Sequence, residues 1–310
     1  MITMERVCVI VNPYSQGGRT NLKTTGYLKE LKTNGFTFDV YPTEAHRHSI
    51  FLMKQLINEY DIFLSVGGDG LIHEIIQVLA GKKNKTLAVA PAGNGNMFAR
   101  HHRLNSFYET VKAIKEKRRI PIDLVRLRYT TKDSKKHTIY SHCIFGVGYI
   151  EDVVKHALKT FNKFGPSFCY PLSAFIATIK PDSFGSKIET DNKQMIFSKT
   201  GTIIGLNHGK VGPFNISQNV DDTDGYLDYV IFHDTKTIEA WLCVLDTILG
   251  FYQFNNHRKA GKTKKLQIKI SSPRDLMVDG EMYEEITSLE AEIVPKILYT
   301  YSMKKTEEEK

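Results

Sequence analysis

The stretch Leu-Ser-Val-Gly-Gly-Asp-Gly-Leu-Ile-His-Glu-Ile-Ile occupies residues 64–76. Its first part is apolar and its last part spaces apolar residues as a helix does, so it reads as strand, turn, helix. One or two glycines suffice for a turn. Three of them around Asp69 imply a backbone that something approaches closely. Upstream, residues 6–12 (Arg-Val-Cys-Val-Ile-Val-Asn) form the continuous apolar run of a strand buried on both faces. A helix over 20–34, a strand over 36–43, a helix over 47–58 and a strand over 61–66 follow. Downstream come a helix over 71–80, a strand over 86–91 and a helix around 106–117. Such alternation predicts a parallel sheet with helices on both faces.

After Pro121 the pattern changes. Residues 122–129, 137–148, 200–207, 225–232 and 264–272 read as strands, with helical segments at 150–160, 168–179 and 235–250. The expected fold class is therefore an α/β N-terminal domain plus a β-rich sandwich C-terminal domain. The boundaries fall at 1–123, an α/β domain onto which 297–310 packs back, and 124–296, the β-sandwich. The apolar segment 241–254 reads first as a core helix, and docking against lipid is its sharper reading.

The formal charge of +8 favours an anionic partner: nucleic acid, a membrane surface or an anionic substrate. The densest basic stretches, KEKRRIP (115–121) and HRKAGKTKKL (257–266), are not interleaved with base-stacking aromatics, so no nucleic acid is expected. They read as solvated faces and a loop. No apolar run reaches the ~18 residues of a membrane span, and the N-terminus reads as a first strand, not a signal peptide. The cysteines, Cys8, Cys143, Cys169 and Cys243, are far apart with no CxxC pair. That pattern speaks against a zinc site or disulfides and for buried thiols in a reducing cytoplasm. The histidines at 46 and 48, and at 101 and 102, read as non-ligands, because adjacent side chains on a helix point apart.

In an open parallel sheet, ligands bind beyond the carboxyl ends of the strands. Three loops there, 12–20, 67–74 and 91–100, expose glycine backbone, as phosphate-binding N–H nests do. Asp69 supplies an acid that could bind a metal, orient a hydroxyl or accept its proton, as phosphoryl transfer requires. The spacing is neither that of a Walker A loop nor GxGxxG.

These motifs resemble, in order, those of the diacylglycerol kinase / sphingosine kinase family of lipid kinases, whose first domain is similar to that of NAD kinase and phosphofructokinase. NPYSQGG (12–18), PTEAHRHS (42–49), GGDGLIHEI (67–75), PAGNGNMFAR (91–100) and IPIDLVRL (120–127) carry the resemblance in the first part. GVGYIEDVV (146–154), NVDDTDGYLDYVIF (219–232) and MVDGEMY (277–283) carry it in the second. The resemblance implies an enzyme that uses ATP and Mg²⁺ to phosphorylate a lipid hydroxyl, cytoplasmic and peripherally attached to membranes, with a homodimer allowed. It places Asn12, Thr43, Gly67, Gly68, Gly70, Glu74, Gly93, Gly95, Asn96, Lys163 and Asp279 around the nucleotide. Asp69 and Asp279 would bind metal. Asp224 would join a structural Mg²⁺ site, or equally be a simple turn residue. Asp69 or Glu281 would take the proton of the lipid hydroxyl. The segment 124–296 would bind lipid, through Tyr149, Ile150 and Asp152.

Three positions depart from the family's patterns. Met97 stands where bacterial diacylglycerol kinases carry Asp, and Leu71 where they carry Thr. Val154 stands where sphingosine kinases place the Asp that pairs the sphingoid amine. The head group thus stays open among diacylglycerol, a sphingoid base, ceramide and other lipid alcohols. Two other readings compete: a soluble NAD kinase-like enzyme, and a lipid- or nucleotide-binding module without activity.

Overall fold

The structure, a computed structural model, describes residues 6–15, 20–164, 166–179, 182–252 and 256–304. The chain divides into two compact units, residues 1–122 with 296–310, and residues 123–295.

The first unit runs β1 (Arg6–Val11), α1 (Thr20–Thr33), β2 (Thr37–Pro42), α2 (His48–Leu56), β3 (Ile62–Gly67), α3 (Asp69–Leu79), β4 (Thr86–Pro91), α4 (Met97–His101) and α5 (Phe107–Lys115). The strands lie in the order β2-β1-β3-β4 and all pair in parallel. Every residue of β3 and β4 is buried, as their unbroken apolar runs demand, whereas the edge strand β2 has only exposed and half-buried positions. Strand order reverses at β1. Right-handed crossovers therefore send α1 to one face and α2 and α3 to the other. Nothing in the sequence signals α4, a single turn of helix. It forms because the Asp69 carboxylate accepts the backbone N–H of Phe98 at 3.0 Å, a negative charge at a helix N-terminus.

β5 (Arg119–Thr131) leads into the second unit, which continues with β6 (Lys136–Ser141), β7 (Ile144–Gly148), α6 (Tyr149–Phe164), α7 (Pro166–Ala177), β8 (Phe184–Thr190) and β9 (Gln194–Leu206). The short pair β10 (Lys210–Val211) and β11 (Phe214–Asn215) precedes β12 (Leu227–His233), α8 (Thr237–Leu249), β13 (Arg258–Thr263), β14 (Lys265–Val278) and β15 (Glu281–Tyr301). The residues of β15 from Lys296 onward belong to the first unit, where Thr300 pairs with Leu87 of β4 in parallel. In the second unit the long strands β9 and β14 each pair with β7 at one end and with β8 at the other. They bend around one core that includes Phe145, Val147, Ile203, Leu266, Ile286 and Leu289.

Two expectations change here. The single strand read over 137–148 is broken at His142-Cys143. The Asp279 carboxylate takes the backbone N–H groups of His142, Cys143 and Ile144 at 3.1, 3.0 and 3.1 Å, which diverts them from any strand ladder. The basic stretch 257–266, read as a loop, holds the edge strand β13, antiparallel to β12. Lysines on an edge discourage pairing with another chain.

Helix α6 starts from Gly148, whose φ is +99°. A β-carbon there would fall 2.2 Å from the Gly201 carbonyl oxygen, whereas Gly212, at φ +59°, has open space around it. Gly148→Ala therefore carries both a conformational and a steric cost, and Gly212→Ala only the first, about 1 kcal/mol. We expect urea unfolding to show a clearly larger loss for Gly148→Ala; equal losses would contradict this packing account.

Candidate functional site

The carboxyl ends of β1, β3 and β4 bring the glycine loops together. Asn12 N–H donates to the Val66 carbonyl at 3.0 Å, and Ala92 N–H to that of Gly67 at 3.1 Å. Gly68 and Gly93 meet backbone to backbone: a β-carbon on Gly93 would lie 2.2 Å from the Gly68 α-carbon. One on Gly95 would lie 2.9 Å from Asp69 Oδ2, and one on Gly67 2.8 Å from the Leu71 side chain. Glycines read from sequence as room for a ligand thus serve first as room for neighbouring loops. Gly70 lies in the first turn of α3.

Asn96 closes the third loop. It sits in the left-handed region at φ 49°, its Oδ1 accepts the Gly93 N–H, and its Nδ2 donates to the Gly93 carbonyl, both at 2.8 Å. Only an amide gives one donor and one acceptor in that plane. Asn12 Oδ1 accepts the N–H of Tyr14 at 3.0 Å, an Asx turn off β1. Residues 16–19 of this loop, with Gly17 and Gly18, lie outside the described residues.

Asp69 is the first residue of α3 and is 9% exposed. One oxygen holds α4 and the other faces Gly95. Glu74, one turn further along α3, is engaged by protein. Its Oε1 accepts the Arg47 N–H at 2.7 Å, and its Oε2 accepts the Ser49 hydroxyl. Arg47 is held at φ 62° and His46 Nδ1 lies 3.4 Å from the same carboxylate, so Glu74 fixes the entry to α2. Thr43 is buried and donates its N–H to Val11 at 2.8 Å. Sequence reasoning missed Ser49, and also Thr20, whose hydroxyl reaches the Ala92 carbonyl at 3.2 Å. Nothing local marks them: Ser49 sits between His48 and Ile50, and Thr20 between Arg19 and Asn21.

In the second unit, Asp279 and Gly280 form a two-residue hairpin loop between β14 and β15, with φ 52° and 93°. Asp-Gly is the pair such a loop favours. The expectation of Asp279 as a metal and nucleotide ligand meets a physical obstacle. It is 3% exposed, and besides the three N–H groups of residues 142–144 it accepts the Ser141 hydroxyl at 2.8 Å. Its lone pairs are committed to the β6–β7 turn. Glu281 follows it and is half-buried, paired with Val278. Asp224 is likewise employed: Lys262 Nζ donates to its Oδ2 at 2.5 Å and Tyr226 N–H to its Oδ1 at 2.9 Å. A protein cation already stands where a metal was expected. Lys163 falls in the last turn of α6, and its side chain lies outside the described residues.

Helices α6, α7 and α8 with β9 and β12 line a half-open apolar cavity of about 100 Å³. Tyr149 and Ile150 line it with Ala174, Ile204, Ile216 and Val244, and no carboxylate is among the described lining residues. Asp152 is not on its wall. Its wall also carries hydroxyls: those of Thr178, Thr202 and Thr247 donate to backbone carbonyls, those of Tyr149 and Thr235 are buried beside them, and burial pushes the Tyr149 phenol up. Segment 241–254 is thus not a plain core helix. One side of α8 (Ala240, Cys243, Thr247) faces the cavity, while Ile238, Leu242 and Leu249 are each more than half exposed. Phe168 on α7, Ile179 just beyond it and Phe251 just beyond α8 are also more than half exposed. The expectation missed this because the helix is apolar on two faces, and periodicity alone reads that as burial.

Residues 6–127 match the family model described as the diacylglycerol kinase catalytic domain. A diacylglycerol kinase of Staphylococcus aureus (strain bovine RF122 / ET3-1) is 24% identical over 282 residues, which cover 89% of this chain and 86% of that protein. The crystal structure of a diacylglycerol kinase from Bacillus anthracis str. Sterne is similar at a TM-score of 0.71 and 18% identity, over 97% of this chain and 98% of that one. Yeast NADH kinase complexed with NADH shares the fold more distantly, at a TM-score of 0.54 and 11% identity, over 97% of this chain and 84% of that one. Residues 6–127, which hold the three glycine loops, thus carry a diacylglycerol kinase catalytic domain, the mark of a lipid kinase, a phosphotransferase.

Proposed function

We propose that this kinase transfers the γ-phosphoryl group of ATP to the hydroxyl of a neutral acyl lipid, diacylglycerol before others, at a membrane surface. The observation that carries the acceptor is the apolar cavity, whose described walls hold hydroxyls but no carboxylate. A sphingoid ammonium buried there would lack the paired anion it needs. Glu151, an acid in the first turn of α6, is buried, and burial pushes its carboxyl up to about 7 in spite of Lys155 at 3.5 Å. A group so easily protonated is a poor standing partner for a cation. The name of the staphylococcal relatives points the same way. The apolar outer residues of α7 and α8 support docking on a bilayer. No helix among the described residues is long and apolar enough to cross one.

In this reading the backbone of Gly67, Gly68, Gly70, Gly93 and Gly95, with Asn12, Thr43 and Asn96, shapes the nucleotide pocket, and Lys163 serves the phosphates. Glu74 acts by positioning residues 46–49, through the bonds it makes to Arg47 and Ser49. Asp69 offers a hard carboxylate oxygen of the kind Mg²⁺ selects. Mg²⁺, when bound, neutralises charge on the phosphates. Asp69 or Glu281 takes the proton of the lipid hydroxyl, and Asp279 holds the hairpin that carries Glu281. Asp224 is left out, since Lys262 already neutralises it. The remaining catalysis is positioning.

In mixed micelles with labelled ATP and Mg²⁺, we expect label in diacylglycerol at least tenfold above sphingosine. ATP binding with no label in any lipid would end the proposal, and label in NAD would move the chain to the soluble-kinase reading. Asp69→Asn keeps an oxygen for the Phe98 N–H, so it should fold normally and lose roughly 100-fold or more in kcat. An unchanged kcat would remove Asp69 from the chemistry. The Glu151 shift has a stability consequence. A carboxyl raised from 4.5 to about 7 leaves the native state most favoured below pH 4.5 and progressively less so as pH rises through 7. Glu151→Gln should therefore raise Tm at pH 8, with a ceiling of roughly 3 kcal/mol, and change little at pH 4. A gain of the same size at both pH values would refute that account.

A further inference from the structure

In the second unit, away from the cavity, three side chains of another chemistry converge. His142 and Cys143 form the turn between β6 and β7, and His208 lies in the turn after β9. All three are buried, at 0, 0 and 1% exposure, and their ligand atoms lie within 4.8 Å of one another. The two turns are tied directly. Asn207 N–H and His208 N–H both donate to the Cys143 carbonyl, at 2.8 and 3.2 Å, and Asn207 Nδ2 donates to the His142 carbonyl at 3.3 Å. Two buried carboxylates flank the imidazoles: Asp279 Oδ2 lies 3.8 Å from His142 Nε2, and Asp222 Oδ2 lies 3.9 Å from His208 Nε2.

We propose that His142, Cys143 and His208 bind a zinc-class divalent cation. Two imidazoles and a thiolate are a borderline-soft donor set, suited to zinc and its neighbours and unsuited to Mg²⁺, which selects oxygen. Zinc bonds of about 2.0–2.3 Å place tetrahedral ligand atoms roughly 3.3–3.7 Å apart. The cluster thus closes on a cation through small side-chain movements, because the backbone of both turns is already fixed. Carboxylates commonly stand beside ligating histidines; at 3.8 and 3.9 Å these two act on the rings through their charge, while Asp279 keeps its hydrogen bonds to the β6–β7 turn. The dication also offsets two of the three negative charges that a thiolate and two buried carboxylates bring to one low-dielectric region. The site is independent of the oxygen-ligated Mg²⁺ of the kinase reading.

The test uses the full chain, stripped of metal and titrated with Co²⁺ and Zn²⁺ in the absence of ATP and lipid. We expect one Co²⁺ per chain, an intense near-ultraviolet thiolate-to-cobalt band, displacement by Zn²⁺ and none by millimolar Mg²⁺. Cys143→Ser should abolish the band. His208→Gln should weaken Zn²⁺ binding at least tenfold, and Asp222→Asn about tenfold. Far-ultraviolet circular dichroism identifies any variant that fails to fold, and His208→Gln then stands in for Cys143→Ser. Folded wild type that takes up no Co²⁺, takes it up without the thiolate band, or yields it to Mg²⁺ would overturn the proposal. So would a band that survives in Cys143→Ser.

Discussion

Gly68 and Gly93 touch with nothing but backbone between them, and the upper edge of the first unit follows from that contact. Two parallel strands end side by side. For the loops leaving them to stay together, neither can carry a side chain at the crossing. Once they touch, Ala92 can donate to Gly67, Asn96 can fold back on Gly93, and Asp69 can reach the Phe98 amide of α4. A methyl group on Gly93, 2.2 Å from the Gly68 α-carbon, would push these bonds apart together, while one on Gly68, 3.2 Å from the Gly93 α-carbon, would ask a smaller shift. The glycines therefore act twice: they let loop meet loop, and in doing so they leave the main chain bare where the proposed nucleotide would lie.

The second unit is organised by a different device. The Asp279 carboxylate collects the Ser141 hydroxyl and three successive N–H groups, and so ties the β14–β15 hairpin to the β6–β7 turn. A buried carboxylate is costly unless it is fully hydrogen-bonded. Four donors meet that requirement and also decide where the strand must break. Sequence reading saw an acid before a glycine and a glutamate and took it for a ligand. Its burial and bonding make it a structural clamp.

The first unit was the more legible from sequence. Buried parallel strands are continuous apolar runs, and the helices between them carry a 3.6-residue stripe, so β1, β3, β4 and α3 could be located to within two residues. The glycine loops could be located too, because close backbone approach at a strand end excludes residues with a side chain. The edge strand β13, with lysines and glycine in place of β-branched residues, carried no such signature. Nor did the turn at His142-Cys143, which a carboxylate from more than a hundred residues away imposes. The cluster of His142, Cys143 and His208 was invisible for the same reason: spacing rules for metal sites assume ligands near in sequence, and here 65 residues separate Cys143 from His208.

Helix α8 has one face in the cavity and leucines on the opposite face. In the proposed reading it is a partition one helix thick with oil on both sides. A substrate crossing such a partition never meets bulk water, so the quantity that governs turnover is the number of acceptor molecules per unit of surface. Diluting the acceptor with other lipids would slow the enzyme even at constant total lipid, and adding more of the same mixed surface would not restore the rate.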